Sequence, residues 1–468
     1  MRSLLTASIL LACSTWSLAA YSDSLSDIYQ AAVQNDPTMR AAEAEFRVQS
    51  ETKNIARGAL LPQLNLNAGV AYANQKQVTN KPDEVISKAL GTSETTGTSI
   101  NAGLTLSQQL LNIGAWYNFK SGQQLSKQAQ LKFVDNQQDL ISRTVTAYFA
   151  VLRAQSNLAS SVAEEKAMKQ QLDQMQQRFD VGLVAITDVN EAQAAYDMAN
   201  VGLIANQGRL QIAYQALSVL TGEEHEQVDS LATNFPISSP EPADMQEWVN
   251  MAMQNNITLQ LAEAGVSAAE YQAKASKANH YPIIALQASI STSNLSGERE
   301  AYTLDTTSPT GVAKYKKDAD VDNDNWSVGI GLSLPLYSGN AISAKRRQAY
   351  AQYDMAKEQT IGAERMVTQQ TRSQFIAALT TMQTVAARKQ AIVSTKSALD
   401  AIQAGYNVGT RNIVDVLNAQ RNVFAAERDY ANARYDYITS MIDLKYSAGI
   451  LSPEDIHDLN EWTTAPAP

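Results

Sequence analysis

The chain has 468 residues, a net charge of −10, 44% hydrophobic residues and a single cysteine. An acidic balance of that size disfavours nucleic acid as a partner. The cysteine, Cys13, sits in the leader described next, so the chain beyond it has no thiol for a disulfide, a thiolate ligand or a nucleophile.

The first twenty residues, MRSLLTASILLACSTWSLAA, combine one early Arg, an apolar run and a small-residue end at Ser17-Leu18-Ala19. They read as a secretory signal peptide over residues 1–20, cleaved near Ala19 or Ala20. A lipoprotein signal ending at Cys13 would have a very short lead, and an incidental cysteine in a discarded peptide is the preferred reading. Loss of Arg2 with the leader takes the net charge to −11. No later stretch approaches the ~18 apolar residues of a spanning helix. The expectation is an exported chain without a transmembrane helix.

Leu25, Ile28 and Ala32 line one face of a short amphipathic helix ending near Asn35. Asp36-Pro37 restarts the helix, with Asp as N-cap and Pro at the first position, and Pro62 stops it after Leu60. The pattern then changes to a period of two. Leu64, Leu66, Ala68, Val70 and Tyr72 form one alternating run, and Ile100, Ala102, Leu104 and Leu106 a second, with Leu110 further on. A polar connector, 74–98, separates them. Next comes a proline-free helix from about Ala115 to Phe179, in which Val134, Ile141 and Tyr148 recur every seven residues and Val145 and Leu152 fill the companion position.

That helix ends in RFDVGLVAITDV, 178–189, and the motif returns 227 residues later as GYNVGTRNIVDV, 405–416. Each copy reads as a sharp turn between long helices, with Gly182 or Gly409 supplying the left-handed residue. Asn412 is the expected cap of the second returning helix, with Asp415 completing a loose capping box. In the first copy Ala185 holds that place, and Thr187 is the expected cap. The returning helices run from about Thr187 to Leu220 and from Ile413 to Tyr446.

Other blocks repeat as well. Asn35 corresponds to Asn255, Ala42-Glu43-Ala44 to Ala262-Glu263-Ala264, and Pro62 to Pro282. Alternating runs recur at Ile284, Leu286, Ala288, Ile290 and at Val328, Ile330, Leu332, Leu334, Leu336, around a polar connector at 294–325. Phe375, Leu379, Met382 and Ala386 mark a stripe on a second long helix, 341–404. The chain is therefore expected to divide into the signal peptide, a first repeat (21–222, strand hairpin 62–110), a Pro- and Ser-rich linker (223–244), a second repeat (245–449, strand hairpin 282–338) and a loose tail (450–468).

Ten-residue alternating strands are the mark of a transmembrane β-barrel, although a half-buried soluble sheet reads alike. The leader and the absence of a spanning helix tilt the choice towards the barrel. Four strands cannot close one, and open edges cannot sit in lipid, so the protein would have to share a barrel between copies. A dimer supplies eight strands and a trimer twelve, and spacing does not choose.

Enzyme chemistry finds no motif. His225, His280 and His457 are scattered, without HExxH spacing, and no G-x-S-x-G or P-loop is present. They read as surface or interface histidines. Asp320, Asp322 and Asp324 imitate the start of a calcium loop, but Asn325 replaces the required Gly and no Glu closes it, so a solvated loop is expected. No metal, cofactor or catalytic residue is assigned.

The duplicated turns, with LLPQLNL and AGYNVGTRNIVDVLNAQ, resemble the outer membrane factor family, the outer-membrane channels of efflux and type I secretion systems. The resemblance covers nearly the whole mature chain. It implies an α+β membrane protein: tandem-duplicated long helical hairpins forming a trimeric α-barrel, and four strands per protomer contributing to a twelve-stranded outer-membrane β-barrel. The implied location is the outer membrane, extending into the periplasm. The implied partners are two further copies, outer-membrane lipid, a periplasmic adaptor (membrane fusion protein) and an inner-membrane transporter. Carried over residue by residue, a periplasmic gate falls on Gln171, Thr187, Asp188, Tyr406 and Arg411. The pore constriction falls on Asp415 and Asn418, and adaptor docking on Val181, Gly182, Leu183, Val408, Gly409 and Thr410. A family member has glutamate at the position of Gln403 and a second ring aspartate at that of Asn418, so closed-state links and cation preference are expected to be weaker here. Without the resemblance, Asp188 and Asp415 are first-turn carboxylates favoured by the helix dipole, and Tyr406 and Arg411 plain turn residues. The competing function is a coiled-coil structural or adhesin-like rod anchored at the cell surface.

Overall fold

The computed structural model describes residues 22–78 and 91–464. The leader with Cys13, the middle of the first polar connector and the last residues of the tail lie outside them. In chain order the first elements are α1 (Leu25–Asn35), α2 (Pro37–Ser50), α3 (Thr52–Gly58), β1 (Gln63–Val78), β2 (Thr92–Leu111), α4 (Ile113–Asp180), α5 (Ile186–Thr221) and β3 (Ser230–Leu231). There follow α6 (Met245–Asn255), α7 (Ile257–Ala278), β4 (Ile283–Leu304), β5 (Val312–Asp318), β6 (Val321–Ser333), α8 (Ala341–Asn407), α9 (Ile413–Ser447), α10 (Pro453–Asn460) and β7 (Thr463–Thr464). The chain clusters into two compact units. One holds residues up to Phe46, Gln130–Leu261 and Thr360 onward; the other holds Arg47–Ala129 and Ala262–Gln359. No helix among the described residues is long and apolar enough to cross a membrane.

The first unit is helical. Leu25 and Ile28 of α1 pack with Ile141, Val145, Tyr148 and Leu152 of α4, Leu217 of α5 and Ile438 and Ile442 of α9. The seven-residue stripe of α4 is thus the buried one. On α8 the stripe is displaced: Phe375, Ala378 and Val385 are buried while Ala386 is exposed. A straight helix turns every 3.6 residues and drifts away from a 3.5-residue pattern, which moves the buried line by one position. Pro37 opens α2, and the Asp36 carboxylate accepts from the Thr38 amide at 3.2 Å, as an N-cap does. The expected helix from Pro37 to Leu60 is broken at Glu51.

Asp36 also accepts from Arg143 of α4 at 2.7 Å, with its own side chain 3% exposed. Burial pushes this carboxyl up, but the Arg143 guanidinium and the Thr38 amide pull it further down, so it ends below the usual carboxylate range. His225 is not a surface residue: its side chain is 5% exposed, Nδ1 meets Asp23 at 2.7 Å and Nε2 meets the Thr221 hydroxyl at 2.7 Å. The segment between the repeats is tied down too. Asp23 bridges Val228, the Tyr437 hydroxyl donates to Ser238 O at 2.8 Å, and β3 pairs with β7.

The second unit carries an antiparallel sheet in the order β1-β2-β4-β5, with β6 also on β4. Five strand segments stand where four were expected. β5 covers β4 from Glu298 to Leu304 and β6 covers it from Ile283 to Leu295, so the two form one line interrupted at Ala319 and Asp320. The strands extend well into both polar connectors, because ladder pairing satisfies the backbone whatever the side chains. Asp322 and Asp324 are therefore not in a solvated loop, whereas Asp320 stays exposed in the interruption between β5 and β6. Asp322 and Asp324 lie in β6, and Asp320 accepts from the Ser296 hydroxyl at 2.9 Å. At the other end β6 stops at Ser333, leaving Leu334 and Leu336 outside it.

Residues directly opposite in an antiparallel pair share a face. Leu66, Leu104, Ile290 and Trp326 are consecutive partners across the sheet, and Val70, Ile100, Val328 and Ile330 lie on their side. The other side carries Asn65, Asn67, Ser99, Asn101, Ser289, Ser291, Asn323 and Asn325, with Gly69, Gly103 and Gly329. Over these stretches β1, β2, β4 and β6 each present one apolar face and one face of small polar residues.

Candidate functional site: the paired turns

Both turns end their helices in the same way. Gly182 has φ 74° and Gly409 φ 81°. The Leu183 amide donates back to Arg178 O at 2.8 Å and the Gly182 amide to Phe179 O at 2.8 Å. In the second copy Thr410 donates to Gly405 O at 2.9 Å and Gly409 to Tyr406 O at 3.0 Å. These are Schellman motifs, in which a left-handed residue lets two amides satisfy the last carbonyls. A side chain at either glycine would find open space but a strained backbone. The turns leave Val181, Leu183 and Val408 70–75% exposed.

The returning helices start differently. Asn412 caps α9 with its carbonyl oxygen on the Asp415 amide at 2.8 Å. The return bond of a capping box is not made; Asp415 instead lies 3.7 Å from Arg411. In the first copy Ala185 is the N-cap and no side chain bonds there, so Thr187 is not the cap. Its hydroxyl comes two residues too late, inside the first helical turn.

Below the turns the two hairpins pack together. Met168 and Met175 of α4 are fully buried against Val189, Ala192 and Ala195 of α5 and Ile413, Val416 and Leu417 of α9. Tyr406 of α8 reaches into this cluster. Its hydroxyl donates to the Met175 sulfur at 3.4 Å, and the Arg178 guanidinium sits 5.8 Å from its ring centre. Gln171 is 7% exposed and its Nε2 has no hydrogen-bond partner among the described residues. Asn418 is exposed and accepts from Arg421 at 2.6 Å. Gln403 is half-buried on α8.

The fold therefore gathers Gln171, Tyr406, Arg411 and Asp415 at one end of the unit, but it does not join them all. Within one chain Arg411 pairs with Asp415 in the first turn of the helix it precedes, and the Thr187 and Asp188 side chains carry no hydrogen bond among the described residues. The partners of Tyr406, namely Arg178 and Met175, were missed by sequence reasoning. Arg178 stood inside the quoted motif, and its position one residue before Phe179 was the available signal.

Comparison with known proteins converges on one group. The family model described as outer membrane efflux protein matches residues 28–223 and 248–449. The outer membrane protein TolC of Vibrio cholerae is 32% identical over 98% of each chain. The proteases secretion protein PrtF of Dickeya chrysanthemi is 27% identical over 94% of this chain and 90% of its own. Among solved structures, the outer membrane protein VceC of Vibrio cholerae superposes with a TM-score of 0.72 at 18% identity, covering 91% of this chain and 96% of that one.

Proposed function

Because the chain belongs to the outer membrane efflux protein family, we propose that it is the outer-membrane exit duct of a tripartite efflux or type I secretion system. The observation that carries this reading is the sheet: an apolar band on one face, small polar residues on the other, and too few strands to close a barrel. Lipid takes the apolar face and water the polar one. Three copies supply the twelve strand lines, and the long hairpins continue the conduit into the periplasm. The first repeat over 21–222 and the second over 245–449, joined by 223–244, give each protomer two such hairpins.

The exposed Val181-Gly182-Leu183 and Val408-Gly409-Thr410 turns are where a periplasmic adaptor docks, bringing the duct to an inner-membrane transporter. Gln171, Thr187, Asp188, Tyr406 and Arg411 form the gate, and Asp415 with Asn418 the constriction. Since Arg411 turns to Asp415 inside one chain, its bond to Thr187 or Asp188 is one between neighbouring protomers. Only one of the two constriction positions carries a charge, and Arg421 occupies the Asn418 oxygen.

Single-channel recording from purified protein in a planar bilayer tests the reading. Discrete steps are expected, whereas a structural rod gives none. Sedimentation in detergent should show a trimer; a well-folded monomer would contradict the shared barrel.

A further inference from the structure

The pairing register also sorts the charges at the ends of the strand hairpins. On the face that continues the apolar band, the charges are mixed and mostly acidic: Lys76, Lys314 and Lys316 stand with Glu94, Glu298, Glu300, Asp318, Asp322 and Asp324. Lys314 pairs with Glu300, and Lys316 lies 3.0 Å from Glu298 and 3.2 Å from Glu300. Glu94 accepts from Asn74 at 2.7 Å.

The polar face is different. Along the paired residues of all five strand segments, its members are uncharged except two, Arg299 and Lys317. These two are direct cross-strand partners between β4 and β5. Both are exposed, and neither makes an ion pair among the described residues. Arg299 donates from Nη2 to the Ser93 hydroxyl at 3.2 Å. Thr95, opposite Arg299 on β2, and Tyr315, two residues before Lys317, place further hydroxyls on the same face. Like charges directly opposite in a ladder destabilise it. Two cations, ringed by hydroxyls and facing no carboxylate among the described residues, make up the donor set that a multivalent oxyanion requires.

We propose that Arg299 and Lys317 form an anion-recognition pair on the polar face of the sheet, taking phosphoryl or carboxylate groups of soluble anions. The pair lies near the β4–β5 turn, at the hairpin ends remote from the helices that the strands join. The inference rests on the duct reading for its physiological place: with the polar faces turned inward, three copies of the pair ring the outer mouth. An anion leaving the conduit meets them last, and an anion approaching from outside meets them first.

Isothermal titration of the full mature protein in neutral detergent at low salt, with inositol hexakisphosphate as the probe, tests the pair directly. Wild type should bind, and Arg299→Gln with Lys317→Gln should weaken binding by about tenfold or more. Lys314→Gln with Lys316→Gln, on the other face, should leave affinity within about twofold. Lys317→Glu gives Arg299 a carboxylate across the ladder. It should also abolish binding, while thermal unfolding stays at or above the wild-type temperature, so that loss of binding cannot be laid to misfolding. No binding by wild type, equal affinity in the Arg299/Lys317 double variant, or equal loss in the Lys314/Lys316 control overturns the proposal. So does binding of the probe only when phosphate-bearing lipid is present. Conductance separates this from the duct reading: a protein that gives no steps yet binds the probe through these two residues refutes the duct and retains the pair.

Discussion

The Tyr406 hydroxyl donates to the Met175 sulfur at 3.4 Å, joining the end of α8 to the end of α4. Arg178, one helical turn beyond Met175, covers the same ring. The contact ties the second hairpin to the first immediately below the two turns. Sulfur is a weak acceptor and the cation–ring contact is partly exposed, so each is worth on the order of 0.5–1 kcal/mol. Contacts of that size hold a helix end in place and still let it move.

Tyr406→Phe with Arg178→Ala removes both contacts and keeps the half-buried ring. Loss of ~1–2 kcal/mol per protomer, about 3–6 kcal/mol over three copies, should raise the open fraction of the channel by about a hundredfold or more. Single-channel conductance and entry of large antibiotics are the readouts. Arg411→Ser removes only an exposed pair at 3.7 Å within the chain, so by that contact alone it should change little. An effect of Arg411→Ser as large as that of the double variant would show that its partner lies on the neighbouring protomer.

The turns should not tolerate proline. Gly409 at φ 81° donates its amide to Tyr406 O, and proline can adopt neither that angle nor that bond. Gly182→Pro or Gly409→Pro should abolish drug resistance while leaving trimer abundance normal on a gel, because the open space around both positions confines the damage to the turn. Wild-type resistance would place adaptor docking elsewhere.

Asp415 is the charged member of the proposed constriction. Asp415→Ala should weaken block of the channel by multivalent cations, read as the concentration that halves conductance. Asn418→Asp should strengthen it. Block unchanged in both variants would remove these positions from the conduction path.

The Asp36–Arg143 pair sets part of the acid sensitivity. The folded Asp36 carboxyl lies below its unfolded value, so its contribution is complete above the ordinary carboxylate range, about pH 4, and is lost as pH falls through the folded value. Asp36→Asn should therefore lower the urea midpoint at neutral pH and flatten its decline below about pH 4. Asp36→Ala also loses the cap, for a combined cost of roughly 2–4 kcal/mol. An unchanged acid profile would show that other carboxylates set it.

Much of this fold could be read along the chain because the signals are local. A period of two after Pro62 and Pro282 announced strands, and Gly182 and Gly409 announced turns whose amides bond within six residues. The sevenfold stripe at Ile141 and Tyr148 named the buried face of α4. Errors arose where a long-range partner overrode a local preference. The segment with Asp322 and Asp324 looks like a loop by composition, but β4 offers it a ladder, and pairing satisfies its backbone better than water-exposed coil. His225 reads as a surface or interface histidine, but the chain brings Asp23 to it from 202 residues away.

The sequence by itself determined the duplicated helical hairpins, the amphipathic strands and the two turns, since each follows from the backbone preferences and side-chain periodicity of a dozen adjacent residues. Only the tertiary structure decided which side chains meet. Tyr406 rests on Met175 and under Arg178, Arg411 turns to Asp415, and Arg299 faces Lys317, because helix packing and strand register choose those neighbours. A register shift of one residue would send Arg299 and Lys317 to opposite faces of the sheet, and nothing in either strand alone states which register is taken.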